Sequence, residues 1–91
     1  MNYSRGVIEA ERFTEDFDQL RNLYPNMDDV HLWVALALSE NPRLGEVLKQ
    51  APDYRTLTTP AFGKTPEFWV FYTYDEHNVY LLSIERVHDD D

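Results

Sequence analysis

Two strand-like runs joined by three polar residues constrain this chain more than any other feature. Glu67-Phe-Trp-Val-Phe-Tyr-Thr-Tyr74 and Asn78-Val-Tyr-Leu-Leu-Ser-Ile-Glu-Arg-Val87 are rich in aromatic and β-branched residues, with Asp75-Glu-His77 between them. That is the pattern of a β-hairpin. Alternation places Phe68, Val70, Tyr72 and Tyr74 on one face of the first run and Trp69, Phe71 and Thr73 on the other. In the second run it sets Val79, Leu81 and Ser83 against Tyr80, Leu82 and Ile84. Both faces are apolar, whereas a sheet with one solvated face alternates apolar with polar. A lone hairpin of this kind does not persist in water, so the rest of the chain must cover it.

Two helices are available to do so. Thr14-Glu-Asp-Phe17 reads as a hydroxyl cap followed by first-turn carboxylates, and Phe13, Phe17, Leu20, Leu23 and Tyr24 recur at helical spacing up to Pro25. Asn26 or Asp28 then caps a second helix. Its stripe is Val30, Trp33, Val34, Ala37 and Leu38, widened by Leu32, Ala35, Leu36 and Ser39, and Asn41-Pro42 closes it. The short connection makes the two an antiparallel pair. Arg43–Lys49 reads as one more helical turn, with Leu44, Val47 and Leu48 on the core.

Gly6–Arg12 suits a short edge strand, Ala51-Pro-Asp53 a turn, Tyr54–Thr59 a strand and Pro60–Pro66 a loop. The order is β-α-α-β-β-β: one α+β domain over residues 1–91, with a small, antiparallel-rich sheet and the helix pair on one of its faces. If the helices cover the Phe68 face, Trp69 and Phe71 are left on the other, where either the Pro60–Pro66 loop, the C-terminal tail or sheet curvature covers them or they form a surface for a partner protein or a second copy.

The net charge is −9, from 17 acids against 8 bases. Nucleic-acid binding depends on Lys and Arg neutralising phosphates, so this balance argues against a nucleic acid as a direct high-affinity ligand; the acid either keeps the chain soluble and monodisperse or meets a basic protein partner. The absence of cysteine and of any long apolar run fits a cytoplasmic chain without signal peptide or membrane span. No phosphate loop, HExxH or GxSxG is present. His31, His77 and His88 lack ligand spacing, and neither metal nor cofactor is expected. His31 falls on the polar side of its helix. Glu9 with Glu11, or Glu85 with Arg12, are possible cross-strand neighbours. The few bases carry more information: Arg55, Lys64 and Arg86 lie on or beside adjacent strands, where they could converge on a phosphate or a carboxylate.

The chain resembles the RelE/ParE toxin superfamily of bacterial type II toxin–antitoxin modules. The resemblance lies in the element order, in Asn41-Pro42-Arg-Leu-Gly45, in Pro52-Asp-Tyr-Arg55-Thr-Leu, and above all in Phe68-Trp-Val-Phe-Tyr72 followed by Val79-Tyr-Leu-Leu-Ser-Ile84. It implies a curved sheet with the active surface on its concave face, and a toxin neutralised by an antitoxin. Members of that superfamily either cleave messenger RNA on the ribosome or inhibit DNA gyrase. Arg55 matches a family arginine and Arg86 lies near the family's basic end, so these two are the catalytic candidates; Trp69, Phe71 and Lys64 are the candidates for partner contact. Trp69 stands where the family carries an arginine, and three aspartates follow His88. Both departures argue against efficient RNA cleavage, which needs cations on the developing charge. The alternative is a non-catalytic module that binds a protein or itself through the Trp69/Phe71 face.

Overall fold

A computed structural model describes residues 5–87. The acidic run from His88 onward lies outside the described residues, as does the start, residues 1–4. The elements are β1 (Gly6–Glu9), α1 (Glu11–Leu23), α2 (Met27–Glu40), β2 (Glu46–Leu48), β3 (Ala51–Thr58), β4 (Phe68–Tyr74) and β5 (Asn78–Arg86). They form one five-stranded sheet in the order β1-β5-β4-β3-β2. β1 runs parallel to β5, and the other pairs are antiparallel. The α+β architecture with a helix pair on the sheet is the one expected.

The core lies between the helices and one sheet face. Phe13 and Phe17 of α1, and Met27, Val30, Val34 and Leu38 of α2, pack with Leu57, Phe68, Val70, Tyr72, Val79, Leu81 and Ile84. Burying one such side chain contributes roughly 1.5–3 kcal/mol, so the row Phe68, Val70 and Tyr72, each fully buried, commits β4 to the centre. Trp69 and Phe71 point the other way and stay half-buried, as alternation requires.

Four local expectations change. Arg43–Lys49 is not a helical turn: Glu46–Leu48 pairs with β3 as an edge strand, and Ala51-Pro-Asp53 joins β3 instead of turning. Gly45 explains the first change. A Cβ there would meet Thr56 O at 2.6 Å and the Tyr72 hydroxyl at 2.7 Å, so only glycine lets the chain approach β3 this closely. In β5 the register shifts at Leu82, because Tyr72 faces Leu81 while Phe71 faces Ser83. This bulge moves Ile84 to the core beside Val79 and Leu81, and Ser83 leaves that face. Finally, α1 begins at Glu11, before Thr14, whose hydroxyl bonds Glu9 Oε1 at 3.1 Å and caps nothing. Asn26 is the N-cap residue of α2 but makes no side-chain cap bond. Its own N–H donates to the hydroxyl of buried Thr65 at 3.1 Å.

Tyr72 ties the layers together. Its hydroxyl donates to Pro42 O at 2.7 Å and accepts from Gly45 N at 2.8 Å. Burial pushes the phenol above its ordinary 10.0, against the opposing pull of the Gly45 bond. Tyr72→Phe leaves a buried donor and a buried acceptor unpaired and is predicted to destabilise by about 1–3 kcal/mol in urea unfolding. Gly45→Ala is predicted to destabilise at least as much, by forcing backbone apart. The folded state resists ionising Tyr72, so the wild type should lose stability as pH rises above about 10, an increment that Tyr72→Phe lacks.

Candidate functional site

The sheet face away from the helices carries one aromatic row. Trp69 lies between Thr58 and Glu85, Phe71 between Thr56 and Ser83, and Thr73 is paired with Tyr80. Hydroxyl-bearing residues thus flank two large rings, and the Oγ1 of Thr56 is buried without a hydrogen-bond partner among the described residues. The Pro60–Pro66 loop does not cover this row. Its Phe62 packs against the core and its Thr65 holds the start of α2, which puts the loop on the helix side. Trp69 and Phe71 are brought together as expected.

The cations are distributed differently from expectation. Arg86 registers with Phe68 and Arg55 with Tyr72, four residues apart along β4, or about 14 Å at strand spacing. The exposed Arg86 donates to the Tyr24 hydroxyl at 3.4 Å, and Lys64 is exposed in the turn before β4. Arg55 and Arg86 do not converge.

A different pair does. The guanidinium carbons of Arg5 and Arg55 lie 5.5 and 5.9 Å from the centroid of the Tyr74 ring, within cation–π range. Arg5 Nε donates to Asp75 O at 2.8 Å, and Arg55 Nη1 donates to Gly45 O at 2.8 Å and Arg43 O at 3.2 Å. Among the described residues neither arginine has a carboxylate partner; the arginine ion pairs are Arg12–Asp16 and Arg21–Asp28. The end of α2 supplies no base of its own, and Arg5 N donates to Ser39 O in that last turn. The Arg5 backbone thus meets the last turn of α2, while the two guanidinium groups bond carbonyls beyond it. Arg5 and Tyr74 had no sequence signal, because 69 positions separate them and only the parallel β1–β5 pairing joins their segments.

His31 is not on a purely polar side. It is half-buried, with Nε2 2.5 Å from Glu9 Oε2 and its ring edge-on to Phe17 at 5.2 Å. Glu9 thereby links β1 to both helices through Thr14 and His31. Glu85 and Arg12 line the same groove between α1 and β5 without forming an ion pair. His77 is exposed in the hairpin loop, and His88 lies outside the described residues. No cluster among the described residues could hold a metal ion. No helix among them is long and apolar enough to cross a membrane.

The chain is similar in fold to a solved bacterial protein. That structure is the solution structure of the conserved hypothetical protein HP0894 from Helicobacter pylori, with a TM-score of 0.57 and 18% sequence identity over 90% of this chain and 93% of that one. At this identity the likeness establishes the fold. No family model matches the chain, and no curated protein matches it.

The hairpin loop offers a direct test of local electrostatics. Asp75 Oδ1 accepts from His77 N and Asn78 N, each at 2.8 Å, and Oδ2 accepts from the Tyr80 hydroxyl at 2.8 Å. These bonds, the His77 N–H first, hold the carboxyl below its ordinary 3.8. A depressed folded value stabilises the fold above about 3.8, and the gain is lost as pH falls through the lower folded value. Asp75→Ala is predicted to lower the thermal midpoint at pH 7, and the gap from wild type should narrow as a denaturation series descends below pH 4.

Proposed function

We propose that this chain is the toxin-like component of a bacterial type II toxin–antitoxin pair. In this reading it is held inactive by an antitoxin and acts on a protein target, without efficient ribosome-dependent RNA cleavage. The observation that carries the reading is the arrangement of the sheet: a helix pair closes one face, and an aromatic row headed by Trp69 occupies the other. The element order of the RelE/ParE resemblance supports it, as does a fold shared with HP0894 over 90% of the chain. The net charge of −9 and the aromatic side chain of Trp69 weigh against an RNA phosphate at the centre of that face.

Arg55 and Arg86 remain the cations to test for catalysis. Arg55 is already engaged by two backbone carbonyls, and Arg86 is separated from it along the sheet, so the reading assigns activity to partner contact through Trp69 and Phe71; Lys64, in the loop on the helix side, is the weaker candidate for that contact. The same face supports a second reading, a non-catalytic module that binds a protein or a second copy. Its supporting observation is that the row is half-buried, with Thr56 and Thr58 on one side and Ser83 and Glu85 on the other.

Inducible expression in a bacterial host, with growth and messenger RNA integrity followed together, separates these. The expected outcome is growth arrest with intact messenger RNA, retained in Arg55→Ala and lost in a folded Trp69→Ala. Transcript cleavage that disappears in Arg55→Ala would move the function to RNA. No growth effect at high expression would remove the toxin reading and leave the binding module.

A further inference from the structure

We propose that the unpaired edge of β5, from Leu82 to Arg86, is a docking edge for an extended segment of a basic partner protein. The inference rests on the sheet topology and not on the toxin reading. β5 is nine residues long and is paired with β4 along its length. On its other side β1 pairs only with Asn78–Leu81. The last contact is Ala10 N donating to Leu81 O at 2.8 Å, after which the chain turns into α1. Among the described residues, the second half of β5 therefore presents main-chain donors and acceptors to no strand on this side, which is the condition for adding a strand from another chain.

The space beside this edge is a groove of about 260 Å³ between α1 and β5. Leu20, Leu23 and Ile84 supply its apolar part, and Asp16 and Glu85 its acids. Leu23 is 70% exposed, an unusual position for a leucine that closes a helix beside a sheet edge. An extended peptide on this edge projects alternate side chains to one face. One apolar side chain would then meet Leu20 and Leu23 beside the buried Ile84, while a neighbouring cation reaches Glu85, the lining acid that Arg12 does not hold. The lining arginines are occupied: Arg12 pairs with Asp16 at 3.5 Å, and Arg86 donates to Tyr24. Glu85 has no cation partner among the described ion pairs. With −9 on each chain, a second copy would be repelled and a basic segment attracted.

Random decapeptides displayed on phage and selected against the folded full chain supply the probe. One enriched peptide is then made synthetically and titrated into isotope-labelled protein. The expected family carries Lys or Arg alternating with a bulky apolar residue, and its binding slows amide exchange at Leu82–Arg86 and in the facing turns of α1. Leu23→Lys removes the apolar wall at a helix end that favours a cation, and Gln19→Trp fills the groove from an exposed position. Each should weaken binding about tenfold or more, as loss of a central contact does. The proposal is overturned if no family is enriched, if the slowed amides lie on the Trp69/Phe71 face or at β2, or if both variants bind like wild type.

Discussion

The burial of Phe68, Val70 and Tyr72 on one side of β4 is the constraint on which the rest of this structure depends. Three large side chains in a row, all without solvent contact, require a continuous apolar cover, and α1 and α2 are that cover. Once the helices are committed to this face, Trp69 and Phe71 lie on the other, beside Thr56, Thr58, Ser83 and Glu85 of the adjacent strands. Tyr72 extends the constraint beyond packing. Its hydroxyl bonds both sides of the Pro42–Gly45 connection, so the segment leaving α2 is pulled onto the sheet and becomes the edge strand beside β3. The apolar layer and the polar tie act through one residue.

Much of this was legible from alternation. The two faces of β4 are read correctly from Phe68 and Trp69 onward, because nothing interrupts the period of two. β5 fails at Leu82, since a bulge is a property of the pairing with β4 and leaves no mark in the residues themselves. The Arg43–Lys49 segment fails for a related reason. Leu44, Val47 and Leu48 have helical spacing, but Gly45 sits where a side chain would strike Thr56 and Tyr72, and strand pairing prevails over local periodicity. The widened stripe of α2 holds at Ser39, which is buried, and fails at Leu32 and Leu36, which are exposed, while Met27 outside the stripe is buried. The residues around 32–38 are apolar on all sides, and only the sheet decides which side faces inward.

The candidate site divides along the same line. Trp69 and Phe71 follow from strand parity, which is local. Arg55 stands out because bases are scarce, but its partners come from the Arg43–Gly45 connection and from Tyr74. The companion arginine, Arg5, enters from the segment that leads into β1. Long-range pairing assembles this cluster, and long-range pairing is what a single sequence conceals. The two arginines then account for a charge feature that composition alone makes puzzling: in a strongly acidic chain they sit against a tyrosine ring and backbone carbonyls without a carboxylate. That arrangement joins the connection after α2, the hairpin loop and the Tyr74 ring.

The central claim is that β4 has one closed face and one face left to a partner. Solvent paramagnetic relaxation by a small neutral probe, read at side-chain resonances, tests it most directly. The account predicts clear broadening of the Trp69 indole and the Phe71 ring, with the Val70 methyls and the Phe68 ring protected. Equal protection of Trp69 and Val70 would mean that both faces are covered in the free chain, and would contradict it.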